Sequence, residues 1–320
     1  MSNSIFNILI RPGKRLPLVK EWLQTDVWST SRFASLTPLQ YLEKGEEIIK
    51  REEDLILRSA PSLYDEIVAE SLQTPCITDL MKENSQIAVL ILDGLSIREI
   101  PQLLQLAKQT NYAVLKSDYG TAALPSDTLN FVEQRIIGKK LGPSQLAGRK
   151  ELKELGITYH YYDSPTRLFE LQAGAPLFLW SSFPDGTYMN YEAKSSLHFE
   201  AMLKQFDVIW KNIIMTIPKE YRIIITSDHG YIYFGSGFDS DHKDEFALGY
   251  TKNDRFRIAE PTEPYPMESV GLHWIDDKRV GMLRGRMKNR PQGSAANKLY
   301  RHGGMSLMEM LTPWIEIQRQ

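Results

Sequence analysis

The chain has 320 residues, of which 42% are apolar and 24% charged, with a formal net charge of -2. That composition is ordinary for a globular protein and excludes a disordered chain, and the near-neutral balance excludes a global basic footprint, so nucleic acid could be met only by a local patch. A single cysteine, Cys76, excludes an internal disulfide framework. With no apolar run long enough for a bilayer and no signal peptide, the expected location is the cytoplasm.

Residues 1–85 hold few strand-like runs and several helical ones, and are expected to form a helical N-terminal segment. Positions 39–57 are dense in Glu, Lys and Arg, with Leu39, Leu42, Ile48, Ile49, Leu55 and Leu57 spaced for an amphipathic helix whose charged face is solvated. Pro61 interrupts the pattern and 64–72 resumes it. Trp22 and Trp28 read as packing residues, and no catalytic constellation is seen here.

From residue 86 the character changes. IAVLILD, 87–93, reads as a buried strand ending in Asp93, followed by a turn and a helix with Ile100, Leu103, Leu104 and Leu106. A strand over 112–116, a turn-rich loop over 117–127 and a helix opening at Thr128 and ending near Gly138 come next. Thr128 at a helix start suits an anion such as phosphate, because free N–H groups and the helix dipole point there; alternatively Ser126, Asp127 or Thr128 is simply an N-cap.

Further strands are expected at 157–162 and 176–180, the second delivering Asp185, and then a helix over 197–217 with Leu203, Phe206, Trp210, Ile213 and Ile214 on one face. RIIITSDHG, 222–230, is a β-branched strand that stops at adjacent Asp228 and His229. In open α/β sheets the carboxyl edge of the strands is where ligands bind, and an Asp beside a His suits a divalent cation. Residues 234–266 read as a long excursion over that edge, 270–275 and 279–283 as a hairpin. Arg279, Arg284, Arg286, Lys288, Arg290, Lys298 and Arg301 form a basic cluster, solvated by default, that a polyanion could also use. RHGGMSLME, 301–309, places His302 before a glycine pair and a helix expected to reach Thr312-Pro313. Spread in this order, the carboxylates, histidines and threonine describe a metal-assisted phosphoryl-transfer site.

The strings LILDG (90–94), LPSDT (124–128), TSDHG (226–230) and RHGGMSLMEMLTPW (301–314) resemble the motifs of PglZ domains, members of the alkaline phosphatase superfamily. The resemblance covers 86–320 and implies an α/β, alkaline-phosphatase-like core with a mostly parallel central sheet between helices, one or two Zn2+ ions (Mn2+ or Mg2+ being alternatives) and a covalent phospho-enzyme. By the same resemblance Thr128 is the nucleophile, with Ser126 the alternative. Asp93, Thr128, Asp228 and His229 hold one metal, Asp185 and His302 the other, and Asn130 contacts a phosphoryl oxygen. The family has a histidine four residues after the carboxylate at Asp185, where this chain has Met189, a poor ligand. Tyr188, His198 or water fills the gap, or that metal binds weakly.

Two functions follow from the resemblance. One is a metal-dependent phosphodiesterase or phosphomonoesterase on a nucleotide or oligonucleotide, in a BREX-type phage-defence system with protein partners of that system. The other is a catalytically degenerate PglZ domain that binds or assembles. His160, His242 and His273 have no partner at ligand spacing and read as surface or core residues.

Overall fold

The structure, a computed structural model, describes residues 5–190, 197–235, 237–288 and 299–320, without the side chains of 188–190 and 197. Six helices come first: α1 (Ile5–Leu9), α2 (Leu16–Trp22), α3 (Thr30–Ser35), α4 (Pro38–Ser59), α5 (Ser62–Gln73) and α6 (Ile77–Lys82). α4 begins where a sequence reader would begin it: Pro38 occupies the first turn, and Thr37 and Gln40 cap each other's backbone N–H groups.

Then strands and helices alternate: β1 (Ile87–Leu92), α7 (Ile100–Gln109), β2 (Tyr112–Thr121), α8 (Thr128–Val132), α9 (Lys150–Glu154), β3 (Thr158–Tyr162), β4 (Leu177–Ser181), α10 (Asp185–Asn190), α11 (Leu197–Asn212) and β5 (Arg222–Thr226). Beyond β5 lie β6 (Ile232–Tyr233), α12 (Glu245–Tyr250), β7 (Phe256–Ile258), β8 (Leu272–Ile275), β9 (Val280–Leu283), β10 (Tyr300–Arg301), α13 (Leu307–Met310) and β11 (Leu311–Arg319).

The protein is α/β, with a mostly parallel central sheet of six strands in the order β2-β11-β5-β1-β4-β3. β3, β4, β1 and β5 run parallel, and β11 is antiparallel to both of its neighbours. Side chains alternate along each strand, so the two faces of β1 feed two apolar clusters. Ala88, Leu90 and Leu92 join Ile223, Ile225 and residues of α2, α4, α5, α7 and α11. Ile87, Val89 and Ile91 join Phe178, Trp180, Ile224, Phe131 and Met81 of α6. β8 and β9 make the expected hairpin, which β7 extends into a three-stranded sheet. Among the described residues no helix is long and apolar enough to cross a membrane.

Several expectations are corrected. β2 runs on to Thr121, through the first five residues of the region read as a loop. The final motif does not carry a helix to Pro313: α13 stops at Met310 and the chain turns into β11, which fills the gap between β2 and β5. Pro313 pairs with Tyr119 of β2 and lies beyond Trp314, where the β5 pairing begins, so its missing N–H leaves no ladder position on β5 empty.

The charged face of α4 is not wholly solvated either. Glu46 is fully buried and accepts from Arg98 Nε at 2.5 Å and Arg286 Nη2 at 2.6 Å, with both arginines fully buried as well. Glu53 is buried beside them and accepts from the Leu307 N–H. Among the described residues the basic cluster is divided rather than gathered on one surface, since Arg286 is in the core, Arg284 stands 5.7 Å from the Tyr64 ring and Arg279 donates to the carbonyls of Glu260 and Glu263. Arg290 and Lys298 lie outside the described residues.

Candidate metal centre

Parallel pairing sets the site. Ile91 of β1 stands opposite Thr226 of β5, and Leu92 opposite Ser181 of β4, so the three strands end together. The residues just past those ends are Asp93, Asp228 with His229, and the turn to Asp185, whose N–H donates to the Asp93 carbonyl at 2.9 Å. Gly94 makes this crowding feasible: its φ is +69°, and a Cβ there would stand 3.1 Å from Asp185 Cβ and 3.5 Å from His229 Cε1.

Asp93, Asp228 and His229 form a buried trio whose ligand atoms all lie within 4.8 Å of one another. His229 Nε2 is 3.5 Å from Asp228 Oδ2 and 3.8 Å from Asp93 Oδ1. Thr128 joins them from the start of α8, its Oγ1 donating to Asp228 Oδ2 at 2.6 Å and standing 3.4 Å from His229 Nε2. His302, on the turn after β10, stacks its ring on His229 with centroids 3.9 Å apart, and its Nε2 is 3.9 Å from Asp185 Oδ1. The structure therefore brings together Asp93, Thr128, Asp185, Asp228, His229 and His302.

The surroundings hold one atom of each group in the trio and leave the other to the site. Trp180 Nε1 donates to Asp93 Oδ2 at 3.2 Å, while Asp93 Oδ1 is buried and accepts no hydrogen bond. Asp228 Oδ1 takes the Gly94 N–H at 3.0 Å and the Ser227 hydroxyl at 3.3 Å, which leaves Oδ2 for Thr128. His229 Nδ1 donates to the Gly230 carbonyl at 2.9 Å, so the lone pair of Nε2 faces the carboxylates. Outer partners of this kind orient metal ligands. Two donors each about 2.1 Å from a tetrahedral zinc stand roughly 3.4 Å apart, close to the separations seen here.

Electrostatics agree with that fit. Burial, and then the charges of Asp228 and Asp185, hold the Asp93 carboxyl well above its usual range. Burial works against a charged His229, but Asp228 and Asp185 raise its imidazole above the ordinary value. Desolvation, then the facing His229 ring, push His302 below it. A buried Asp93 carboxyl that resists ionisation, with one oxygen left without a hydrogen bond, is what a bound cation relieves, so the residues present suit a divalent ion.

The remaining candidate residues lie around or away from these six groups. The N-cap of α8 is Asp127, which accepts the Asn130 N–H at 2.8 Å. Asn130 is buried and its amide donates to Asp127 Oδ2 at 2.6 Å. Ser126 is fully buried and its hydroxyl donates to the Gly304 carbonyl. His198 Nδ1 lies 2.9 Å from the Tyr300 hydroxyl, against which its ring packs. His273 Nδ1 is 3.0 Å from an Arg284 nitrogen, and the His160 ring lies on Phe169. The side chains of Met189 and Tyr188 fall outside the described residues.

Sequence reasoning missed Trp180, Ser227 and Arg255 as supports of this centre. Nothing local marks Trp180 and Arg255, because each meets its partner across the fold, whereas Ser227 directly precedes Asp228 and reads as an ordinary turn residue. Glu309 was legible as the fourth residue of a Ser-x-x-Glu capping box, with Ser306 as its cap.

Fold and site define an α/β protein with an acidic, histidine-bearing centre at the carboxyl edge of a mostly parallel sheet. No family model matches the chain, and no curated protein matches it. Among solved structures it is similar to murine ectonucleotide pyrophosphatase/phosphodiesterase 5, at 12% identity and a TM-score of 0.44 over 72% of this chain and 87% of that one. It is also similar to the same murine protein in an inactive form in complex with AMP, at 12% identity and a TM-score of 0.42 over 73% and 88%. At these values the likeness says nothing of the chemistry.

Proposed function

We propose that the protein is a metal-dependent phosphohydrolase with Thr128 as nucleophile. The observation that carries this reading is the Asp93, Asp228 and His229 trio with the Thr128 hydroxyl 2.6 Å from Asp228 Oδ2. Asp93, Asp228, His229 and Thr128 would hold one cation, zinc being favoured by the mixed oxygen and nitrogen donors, and Asp185 with His302 a second.

When bound, such a cation supplies Lewis-acid character that lowers the pKa of the Thr128 hydroxyl and offsets charge at the phosphoryl oxygens. Asp228 Oδ2 is the nearest base to the Thr128 proton. Thr128 Oγ1 forms a bond to phosphorus as the ester oxygen leaves with the bonding electron pair, and water then cleaves the phospho-threonine and restores the hydroxyl. Asp127 keeps the start of α8 in place through the Asn130 N–H, which fixes the approach of Thr128.

The motif resemblance supports a PglZ domain of the alkaline phosphatase superfamily over 86–320, with 1–85 as a helical segment and 234–266 as an excursion. It also supports a nucleotide or oligonucleotide diester or monoester as substrate, and BREX-type defence partners in the cytoplasm. Met189 at a position where the family has histidine favours a second reading, a degenerate domain that binds or assembles.

Metal analysis with an assay on bis(p-nitrophenyl) phosphate separates the two. Bound zinc or manganese with turnover that Thr128→Ala abolishes is the expected result. A metal-free protein inactive on phosphoesters leaves the binding role.

A further inference from the structure

Ser126 was the alternative nucleophile, but its hydroxyl is committed elsewhere. It donates to the Gly304 carbonyl at 2.8 Å and accepts the Gly303 N–H at 3.1 Å, and its own carbonyl lies 3.4 Å from His302 Nδ1. One fully buried residue thus touches three consecutive positions of the turn that carries His302. It also lies two positions before Thr128.

That turn is gripped from its other side by Glu309. Glu309 Oε1 accepts the Gly304 N–H at 2.8 Å, Oε2 accepts the Ser306 N–H at 3.1 Å, and its carbonyl accepts the Gly230 N–H at 2.9 Å, next to His229. Arg255, fully buried, completes the grip with a fork onto Glu309 at 2.9 and 2.6 Å and bonds to the carbonyls of Met287 and Gly285. Its guanidinium lies against Gly304, where a Cβ would approach Nη2 to 2.5 Å. A planar fork on a carboxylate fixes orientation as well as distance, which an ammonium would not do.

We propose that Ser126 is a positioning residue that sets the separation between Thr128 and His302, by bolting the nucleophile's loop to a turn held rigid by Glu309 and Arg255. The inference rests on the reading of Thr128 and His302 given above. It assigns Ser126 a task in which its oxygen never meets phosphorus. It also makes the excursion over the strand ends, through Arg255, a structural part of the centre.

The test uses the full chain as wild type, Ser126→Ala and Ser126→Cys, each loaded with zinc and shown to melt cooperatively. On bis(p-nitrophenyl) phosphate, Ser126→Ala is expected to lower kcat by about 100-fold while KM stays within about threefold, as for a group that aligns rather than binds. Ser126→Cys, which keeps a weak donor and acceptor, is expected to recover part of that loss. A crystal structure of Ser126→Ala is expected to show the His302 ring shifted off His229.

An active wild type whose Ser126→Ala variant keeps its kcat overturns the proposal. So does a variant crystal in which the His302 stack is unmoved, and this second readout needs no turnover. A wild type without metal or turnover instead removes the hydrolase reading, while the crystal comparison still decides the clamp.

Discussion

Thr128 Oγ1 and Asp228 Oδ2 stand 2.6 Å apart although their residues are 100 positions apart in the chain. The contact exists because α8 starts above the strand end where β5 releases Asp228, and because Gly94 and Ser227 occupy the other oxygen of that carboxylate. A threonine hydroxyl is a weak nucleophile in water, and here it sits within reach of one buried base and one imidazole.

Replacing that hydroxyl tests its role directly. Thr128→Ala is expected to lower phosphoester turnover by a factor on the order of 1,000 or more, as loss of a covalent nucleophile does elsewhere, while Thr128→Ser retains measurable activity. Both should bind zinc, since the trio is untouched. Steady-state kinetics with metal analysis of each variant decides it, and an alanine variant as active as wild type would sink the assignment.

Asp93 gives two effects of opposite sign. Without metal, burial holds its carboxyl against ionisation and that cost falls on the folded state, so Asp93→Asn, which carries no charge, is expected to raise the Tm of the metal-free protein at neutral pH. The same change should remove most of the stabilisation that zinc confers on wild type, which is about 2.7 kcal/mol at 100-fold excess over Kd. Thermal melts with chelator and with zinc read both.

The pH dependence of zinc affinity follows from the same carboxyl. Burial, then Asp228 and Asp185, raise its pKa, so protons compete with the cation. Apparent affinity should fall as pH falls, with proton release on binding. Calorimetric titrations in buffers of different ionisation enthalpy measure the released protons, and pH-independent binding would refute the competition.

Glu53, bonded to the Leu307 N–H beside the Glu309 and Arg255 pair, makes folding stability depend on pH. Burial, its largest influence, outweighs the nearby Arg286 charge and moves its pKa from 4.5 to about 7. The unfolded chain loses this proton near 4.5 and the folded one near 7, so folding stability falls as pH rises through that window and the penalty is full above it. The penalty is about 3 kcal/mol, and buried Glu99, also raised to about 7, acts in the same direction. Glu53→Gln should flatten the loss of stability between those pH values by roughly half, measured by urea unfolding.

Glu46 holds two buried arginines at once. Glu46→Ala strands both charges and is expected to cost about 3–5 kcal/mol, read as a lower Tm. A variant within 1 kcal/mol of wild type would mean that the pair of arginines had found other partners.

Much of the centre was legible in one dimension. Buried strands ending in Asp93 and Asp228 announce themselves as β-branched runs stopped by polar residues, and that local signal is strong because a parallel strand must be apolar on both faces. What failed was local reading against distant competition. Residues 311–319 contain a proline after a helical motif, yet they form a strand because the slot between β2 and β5 offers ladder partners on both sides. Glu46, Glu53 and Arg286 looked solvated, since a charge in a sequence carries no mark of the counter-charge that will bury it.

From the residues alone came the α/β alternation, the mostly parallel sheet and the identity of the acids and histidines at its edge, because these depend on periodicity and turn chemistry within a few residues. Tertiary structure alone decided that Trp180 holds one oxygen of Asp93, that Ser126 binds the His302 turn and that Arg255 reaches Glu309. Each of those contacts joins segments far apart in the chain, and only the packing of the strand ends brings such atoms within hydrogen-bonding distance.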